Sequence, residues 1–253
     1  MMDMALLSMP TKSHFVAFTA VFTAMITVLD VLPTLGFYSG IWDSWIFLLS
    51  PLVGILLGPL AGAFCVGLGS LMGHMIIFRN PFELVFMFGA PLGAAMSGLV
   101  YQRRWRPVLG IYSALLLGYF ITPVAWILPL WGIWDILAGY GLLLLFVFLV
   151  TQLKWFETNN HKQTLRLIFS SVIGLEADIL LRVFILVPGQ TYWLFYGMTP
   201  EMLQLVWLGA GFVTPIKVVM AAIAVVVIGT ALLRHNLSSL GSEELESIEP
   251  HEQ

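Results

Sequence analysis

The strongest constraint on this chain is a succession of long apolar runs that leaves little room for anything else. Eight of them occupy residues 14–32, 41–58, 60–78, 82–101, 107–129, 134–153, 165–187 and 212–234. About 20 apolar residues in helical form match the hydrocarbon thickness of a bilayer. Backbone groups in lipid must bond within their own segment or close into a barrel. A barrel demands strict apolar/polar alternation, and the stretch from Leu142 to Val150 has none. Composition points the same way. Apolar residues make up 59% and charged residues 10%, against roughly 45–50% and about 25% in soluble domains. So few charges cannot cover a water-facing surface. The expected fold is an all-α, polytopic transmembrane helical bundle of about eight spans. Residues 1–236 form one transmembrane domain with the lipid bilayer as its solvent. Residues 237–253 (with Glu243, Glu244, Glu246, Glu249 and Glu252) read as an acidic, disordered tail.

Local punctuation sets the connections. Gly58-Pro59 joins the second and third runs by a tight turn with no room for a soluble loop. Thr199-Pro200-Glu201 opens a short interfacial helix over 200–211, which Gly209 and Gly211 interrupt before the last span. The first run lacks a small-x-small cleavage site and is followed by Asp30 and seven more spans, so it reads as a span and not a signal peptide. Lys12, Arg103, Arg104, Arg106, Lys154, Lys162, Arg166 and Arg234 fall on one side, and Arg79 lies in a loop on the other. The positive-inside rule then puts both termini in the cytoplasm of a cell-membrane protein.

Several function classes drop out. A single cysteine, Cys65, excludes a disulfide framework and Cys-based zinc or iron–sulfur sites. A net charge of −3 with no long basic run argues against nucleic acid. There is no G-x-x-x-x-G-K-[ST] loop, H-E-x-x-H, H-x-E with C-x-x-C, or G-x-S-x-G. The expectation is a protein that is not an enzyme and carries no cofactor.

Small residues recur at four-residue spacing: Gly54/Gly58/Gly62, Ala63/Gly67, Gly69/Gly73, Gly89/Gly93 and Ala90/Ala94. In lipid such residues let helix backbones approach and gain dispersion contacts. Ala17, Ala20 and Ala24 form one stripe on the first span. That stripe can dock within the chain or against a partner, and the spacing does not choose.

Charges inside a membrane cost about 2.5–3.5 kcal/mol each at the centre, so each needs a partner or a wet cavity. The seventh span carries Glu176, Asp178 and Arg182. Asp178 and Arg182 are four apart and can pair along the helix. Glu176 lies about 160° around the helix from Asp178 and needs another partner, for which Lys217 of the last span is a candidate. These four ions form either a closed, self-neutralising cluster or the lining of a substrate cavity. Asp30, Asp43, His74, Arg79, Glu83 and Asp135 gather at the outer helix ends, where water is expected to reach them. Trp42, Trp45, Trp126, Trp131, Trp134, Trp193 and Trp207 map to the outer half, against Trp105 and Trp155 inside. The bias reads either as an interfacial belt or as an aromatic vestibule for a flat, partly polar ligand.

The stretch LLGPLAGAFCVGLGSLMGH at 56–74 resembles the lGPxxGaxxGxxxDxxG-like signature of the substrate-binding S components of energy-coupling factor (ECF) transporters. The Ala20/Ala24 pair looks like that family's A-x-x-x-A surface for the transmembrane T component. FMFGAPLGAAMSGLVY at 86–101 is similar to its small-residue fourth helix, and TPIKVVMAAIAVVVIGTALLR at 214–234 to its last helix. The resemblance implies a six-helix core, capture of a vitamin or similar small micronutrient from outside, and import driven by two partner ATPases through the T component. On that match Lys217 stands near an outer-side pocket and Ala20/Ala24 face the T component. The candidate substrate contacts read from the charges and aromatics of the chain itself are Arg79, Glu83, Arg182 and Lys217, with Trp42, Trp134 and Trp193 as stacking surfaces, and the candidate docking stripe is Ala17, Ala20 and Ala24. The chain departs from the pattern in having eight runs, and Ser70 and His74 stand where the family carries an acidic residue. The family's nickel and cobalt binders have a His directly after the initiator Met. Met2 and Asp3 follow Met1 here, which disfavours a metal. The competing expectations are a stand-alone membrane sensor or secondary carrier, and an intramembrane enzyme using Glu176, Asp178 and Lys217.

Overall fold

In a chain this apolar the helix is the one backbone state that satisfies its own polar groups wherever lipid touches it. The computed structural model describes residues 12–32, 44–77, 81–153 and 161–246, with side chains over 12–32, 44–77, 82–153 and 163–232. Among these, no β-strand occurs. The helices are α1 (Lys12–Val31), α2 (Ser50–Leu57), α3 (Pro59–Ile76), α4 (Gly89–Tyr101), α5 (Trp105–Ile121), α6 (Trp134–Thr151), α7 (His161–Leu186), α8 (Thr191–Leu194) and α9 (Pro200–Glu246). Short 3-10 turns at Trp45–Leu48, Pro81–Phe88, Pro123–Ile127 and Leu130–Ile133 link them. Five helical stretches among the described residues are long and apolar enough to cross a membrane: Lys12–Val31, Pro59–Ile76, Phe82–Tyr101, Leu130–Thr151 and Pro200–Leu232. The protein is an all-α bundle with the character of a membrane protein.

Three expected spans take a more broken form. The 41–58 run becomes the Trp45–Leu48 turn plus α2, whose eight residues are all buried. At 1.5 Å per residue α2 is about 12 Å long, far short of a bilayer. Every residue of α2 is enclosed by protein, the setting in which a broken apolar run is tolerated. The 107–129 run ends its α-helix at Ile121. Thr122 precedes Pro123, which drives it to an extended conformation (ψ 123°) and closes the helix. The 82–101 run starts as a 3-10 helix and widens into α4 at Gly89. Conversely, Gly209 and Gly211 do not interrupt α9, which is continuous and contains Pro215. A helix-interior glycine costs only about 1 kcal/mol relative to alanine. Gly211 is held by packing, since a methyl there would meet the Trp131 ring at 2.9 Å. The backbone of α9 continues past residue 236 to Glu246.

Small residues knit the centre. Gly58 makes the α2–α3 corner in the left-handed region (φ +86°), a conformation glycine adopts without strain. Pro59 then opens α3 at its first position, where the missing N–H costs nothing. A side chain at Gly62 would run into Gly54 at 2.6 Å, so α2 and α3 touch backbone to backbone. Gly93 and Gly174 bring α4 and α7 together in the same way, with Ser97 filling the space above Gly174. This α4–α7 contact is the most extensive in the fold. A second apolar core built on Tyr112, Tyr119, Phe146 and Trp207 joins α5, α6, α7 and α9.

Helix α1 leans on α3 through its polar edge. Thr27 Oγ1 donates to Gly69 O at 3.1 Å, and Thr23 Oγ1 lies 3.2 Å from Cys65 Sγ. His74 Nδ1 stands 2.9 Å from Asp30 Oδ2, and Ser44 Oγ donates to Asp30 Oδ1 at 3.0 Å. Asp30, His74, Glu83 and Asp135 are all buried, not solvated at helix ends as expected. Polar neighbours replace water here: Asp30 accepts from Ser44, His74 Nδ1 stands 2.9 Å from both Asp30 Oδ2 and Ser70 O, and Asp135 accepts from Thr214 and from the Ile136 amide. Asp43, Lys154 and Trp155 lie outside the described residues.

Candidate functional site

The seventh apolar run carries three charges within seven positions, and the fold separates them into two different environments. Asp178 and Arg182 sit one helical turn apart on α7 and form the expected pair. Arg182 Nε donates to Asp178 Oδ1 at 2.5 Å and Nη2 to Oδ2 at 3.4 Å. The start of α4 presses on this pair: a methyl at Gly89 would come within 2.8 Å of Arg182 Nε. Glycine is therefore what lets α4 reach the ions.

Lys217 enters from α9, two residues beyond Pro215. Its Nζ lies 5.5 Å from the centroid of the Phe47 ring, within cation–π range. Phe47 belongs to the 3-10 turn that precedes α2. Asp178, Arg182, Lys217, Thr214, Ser44 and Phe47 thus line one small cavity, about 30 Å³ in volume. A water needs roughly 10–15 Å³ by this measure, so the chamber admits about two waters and nothing larger. A segment containing Ser44, Ile46 and Phe47 forms part of its wall.

Glu176 does not share that chamber with Lys217. It lines a separate groove between α6, α7 and α9, together with Asp135. Thr214 connects the two, since it lines the small cavity and donates its hydroxyl to Asp135 Oδ2. The expected Glu176–Lys217 partnership is therefore replaced by a division: Lys217 with Asp178 and Arg182, Glu176 with Asp135. Two residues on one helix about 160° apart face different neighbours, and α9 can serve only one of those faces with its lysine.

The other expected contact residues are scattered. Glu83 is buried on the 3-10 segment Pro81–Phe88, next to the Phe195–Tyr196 pair. Phe82 stacks on Phe195 with centroids 4.5 Å apart. The Tyr196 phenol is pushed up to about 12, first by burial and then by the Glu83 carboxylate. Trp193, on α8, is exposed. Trp134 opens α6, donates its Nε1 to Gly211 O at 2.8 Å, and lines the lateral groove, not the ionic cavity. Trp126 and Trp131 are exposed, whereas Trp207 is buried and stacks on Tyr119. Trp42 and Arg79 lie outside the described residues. Sequence reasoning missed Phe47 and Thr214. Only Thr214 carried a signal, being a hydroxyl three residues before the intramembrane lysine.

Ala17, Ala20 and Ala24 are all exposed. Ala20 and Ala24 line an apolar groove of about 760 Å³ between α1 and α3, walled by Phe15, Leu60, Phe64 and Met72. The stripe is not consumed by packing inside the chain. Comparison of the chain with protein-family models, curated proteins and solved structures finds no match.

Proposed function

We propose that the protein is the substrate-capture membrane subunit of an ECF-type importer for a vitamin or similar small micronutrient. In this reading α5, α7 and the α2 segment with its preceding 3-10 turn join the five long stretches to make eight passes through the cell membrane. Both termini are cytoplasmic, and ATP hydrolysis by two partner ATPases acts through a T component. The observation that carries the reading is the unspent alanine stripe. Helix α1 uses Thr23, Ile26, Thr27 and Asp30 to pack within the chain and leaves Ala20 and Ala24 facing outward beside an apolar groove. Small residues on a lipid-facing helix suit close approach by another membrane helix.

The ionic cavity supports the second half of the reading. Asp178, Arg182 and Lys217 offer both charge signs to a small zwitterionic or polar ligand. At about 30 Å³ the chamber is far below the roughly 300–1,000 Å³ of ligand pockets. Capture therefore requires the chamber to widen.

The test is Ala20→Leu combined with Ala24→Leu, which places two isobutyl groups in the α1–α3 groove. The variant is co-produced with a T component and its two ATPases. Loss of co-purification and uptake is expected. Native mass spectrometry should still find whatever small molecule accompanies the unaltered protein. Unchanged co-purification would overturn the reading.

A further inference from the structure

The groove between α6, α7 and α9 has a chemistry that the capture reading does not use. Its volume is about 520 Å³, within the range of small-molecule sites. Its walls are apolar apart from two acids, Asp135 and Glu176, and among the described lining residues none is basic. Ala138, Ile168, Val219, Ile223 and Val227 are exposed along the helix flanks, so the groove opens sideways, toward lipid in a membrane-spanning bundle.

The two acids differ in how they are satisfied. Asp135 accepts from Thr214 Oγ1 and from the Ile136 amide at 2.9 Å. Glu176 is 2% exposed, and its Oε2 has no hydrogen-bond partner among the described residues. Gly139 supplies the space for it, since a methyl there would lie 2.7 Å from Glu176 Cγ. The neighbouring Tyr112 hydroxyl is committed elsewhere, donating to Ile136 O at 2.8 Å. A buried acceptor left unsatisfied is costly. Its position in an otherwise apolar groove calls for a donor brought in by an occupant.

We propose that this groove binds an apolar molecule carrying a single cationic amine, whose ammonium draws the Glu176 carboxylate, enclosed behind the groove wall in this structure, round to accept from it through Oε2. The apolar body lies against Leu142, Val172, Val218 and Ala222. Two acids without a base exclude an anionic head, and they oppose the phosphate of a zwitterionic phospholipid. A plain hydrocarbon chain leaves Glu176 unsatisfied. The site is reached from the side and is separate from the Asp178–Arg182–Lys217 cavity, so it stands whether or not the chain is an importer subunit.

The test uses the full chain alone in phosphatidylcholine nanodiscs. The probes are a diazirine-bearing dodecylamine and its alcohol analogue, with crosslinks mapped by peptide mass spectrometry. Saturable amine labelling of α6, α7 and α9 is expected, with the alcohol labelling weakly. Glu176→Gln should raise the half-saturating amine concentration about ten-fold or more and leave the alcohol unchanged. Ala222→Phe fills the groove from a half-buried position on α9. It should abolish amine labelling with thermal unfolding unaltered. If Glu176→Gln fails to fold, Ala222→Phe and the amine–alcohol comparison on the unaltered chain decide. Equal labelling by amine and alcohol, an unshifted Glu176→Gln midpoint, or labelling spread evenly over all lipid-facing helices would each overturn the proposal.

Discussion

Replacing Arg182 by leucine tests whether the Asp178–Arg182 pair neutralises a charge that the fold cannot otherwise tolerate. The Asp178 side chain is 5% exposed and that of Arg182 16%, so the pair is mostly shielded from water. With the charge centres about 4 Å apart and an effective dielectric near 20, their attraction is about 4 kcal/mol. Removing one partner of a buried pair typically costs 3–5 kcal/mol, because the remaining charge is left uncompensated. Lys217 lines the same cavity and takes up part of the deficit. The expected loss for Arg182→Leu is therefore at the low end, about 3 kcal/mol. Asp178→Asn in the same molecule removes the stranded charge and should restore stability to within about 1 kcal/mol of the parent, since neutral replacements of buried pairs are often nearly neutral. Denaturant unfolding of the purified protein in mixed micelles, run on both singles and the double, reads the cycle. A single variant as stable as the parent, or a double as unstable as the single, would refute the reasoning.

Two further outcomes follow from the geometry. Gly174→Ala pushes a methyl into Ser97 Oγ and the Gly93 carbonyl at the heart of the α4–α7 contact; unfolding should show a loss of about 1–3 kcal/mol, as for other overpacked cores. Tyr196 should titrate at about 12 where an ordinary tyrosine titrates at 10. A raised folded-state value means that the folded chain holds the proton more tightly. Its contribution to stability is therefore full below pH 10 and lost as pH rises toward 12. Phenolate absorbance compared between the parent and Tyr196→Phe checks the midpoint, and Glu83→Gln should lower it.

Properties carried by neighbours along the chain were legible before any coordinates. Hydrophobic length and the near absence of charge dictate helices in lipid, because no other open backbone state satisfies its own polar groups there. Gly58-Pro59 encodes a corner through glycine's access to positive φ and proline's missing donor. The Asp178–Arg182 pair follows from helical periodicity alone. What lay beyond such reading depends on which helix faces which. Periodicity assigns Glu176 and Asp178 to different faces but is silent on what each face meets, so the assignment of Lys217 to Asp178's side came only with α9 packed against α7. Burial of Asp30, His74, Glu83 and Asp135 likewise required partners from elements distant in sequence. The alanine stripe could dock inward or outward until the Thr23–Asp30 edge of α1 was seen to take the inward role. Spacing along one helix is a local quantity, whereas the choice of neighbour is made by the summed contacts of the whole bundle.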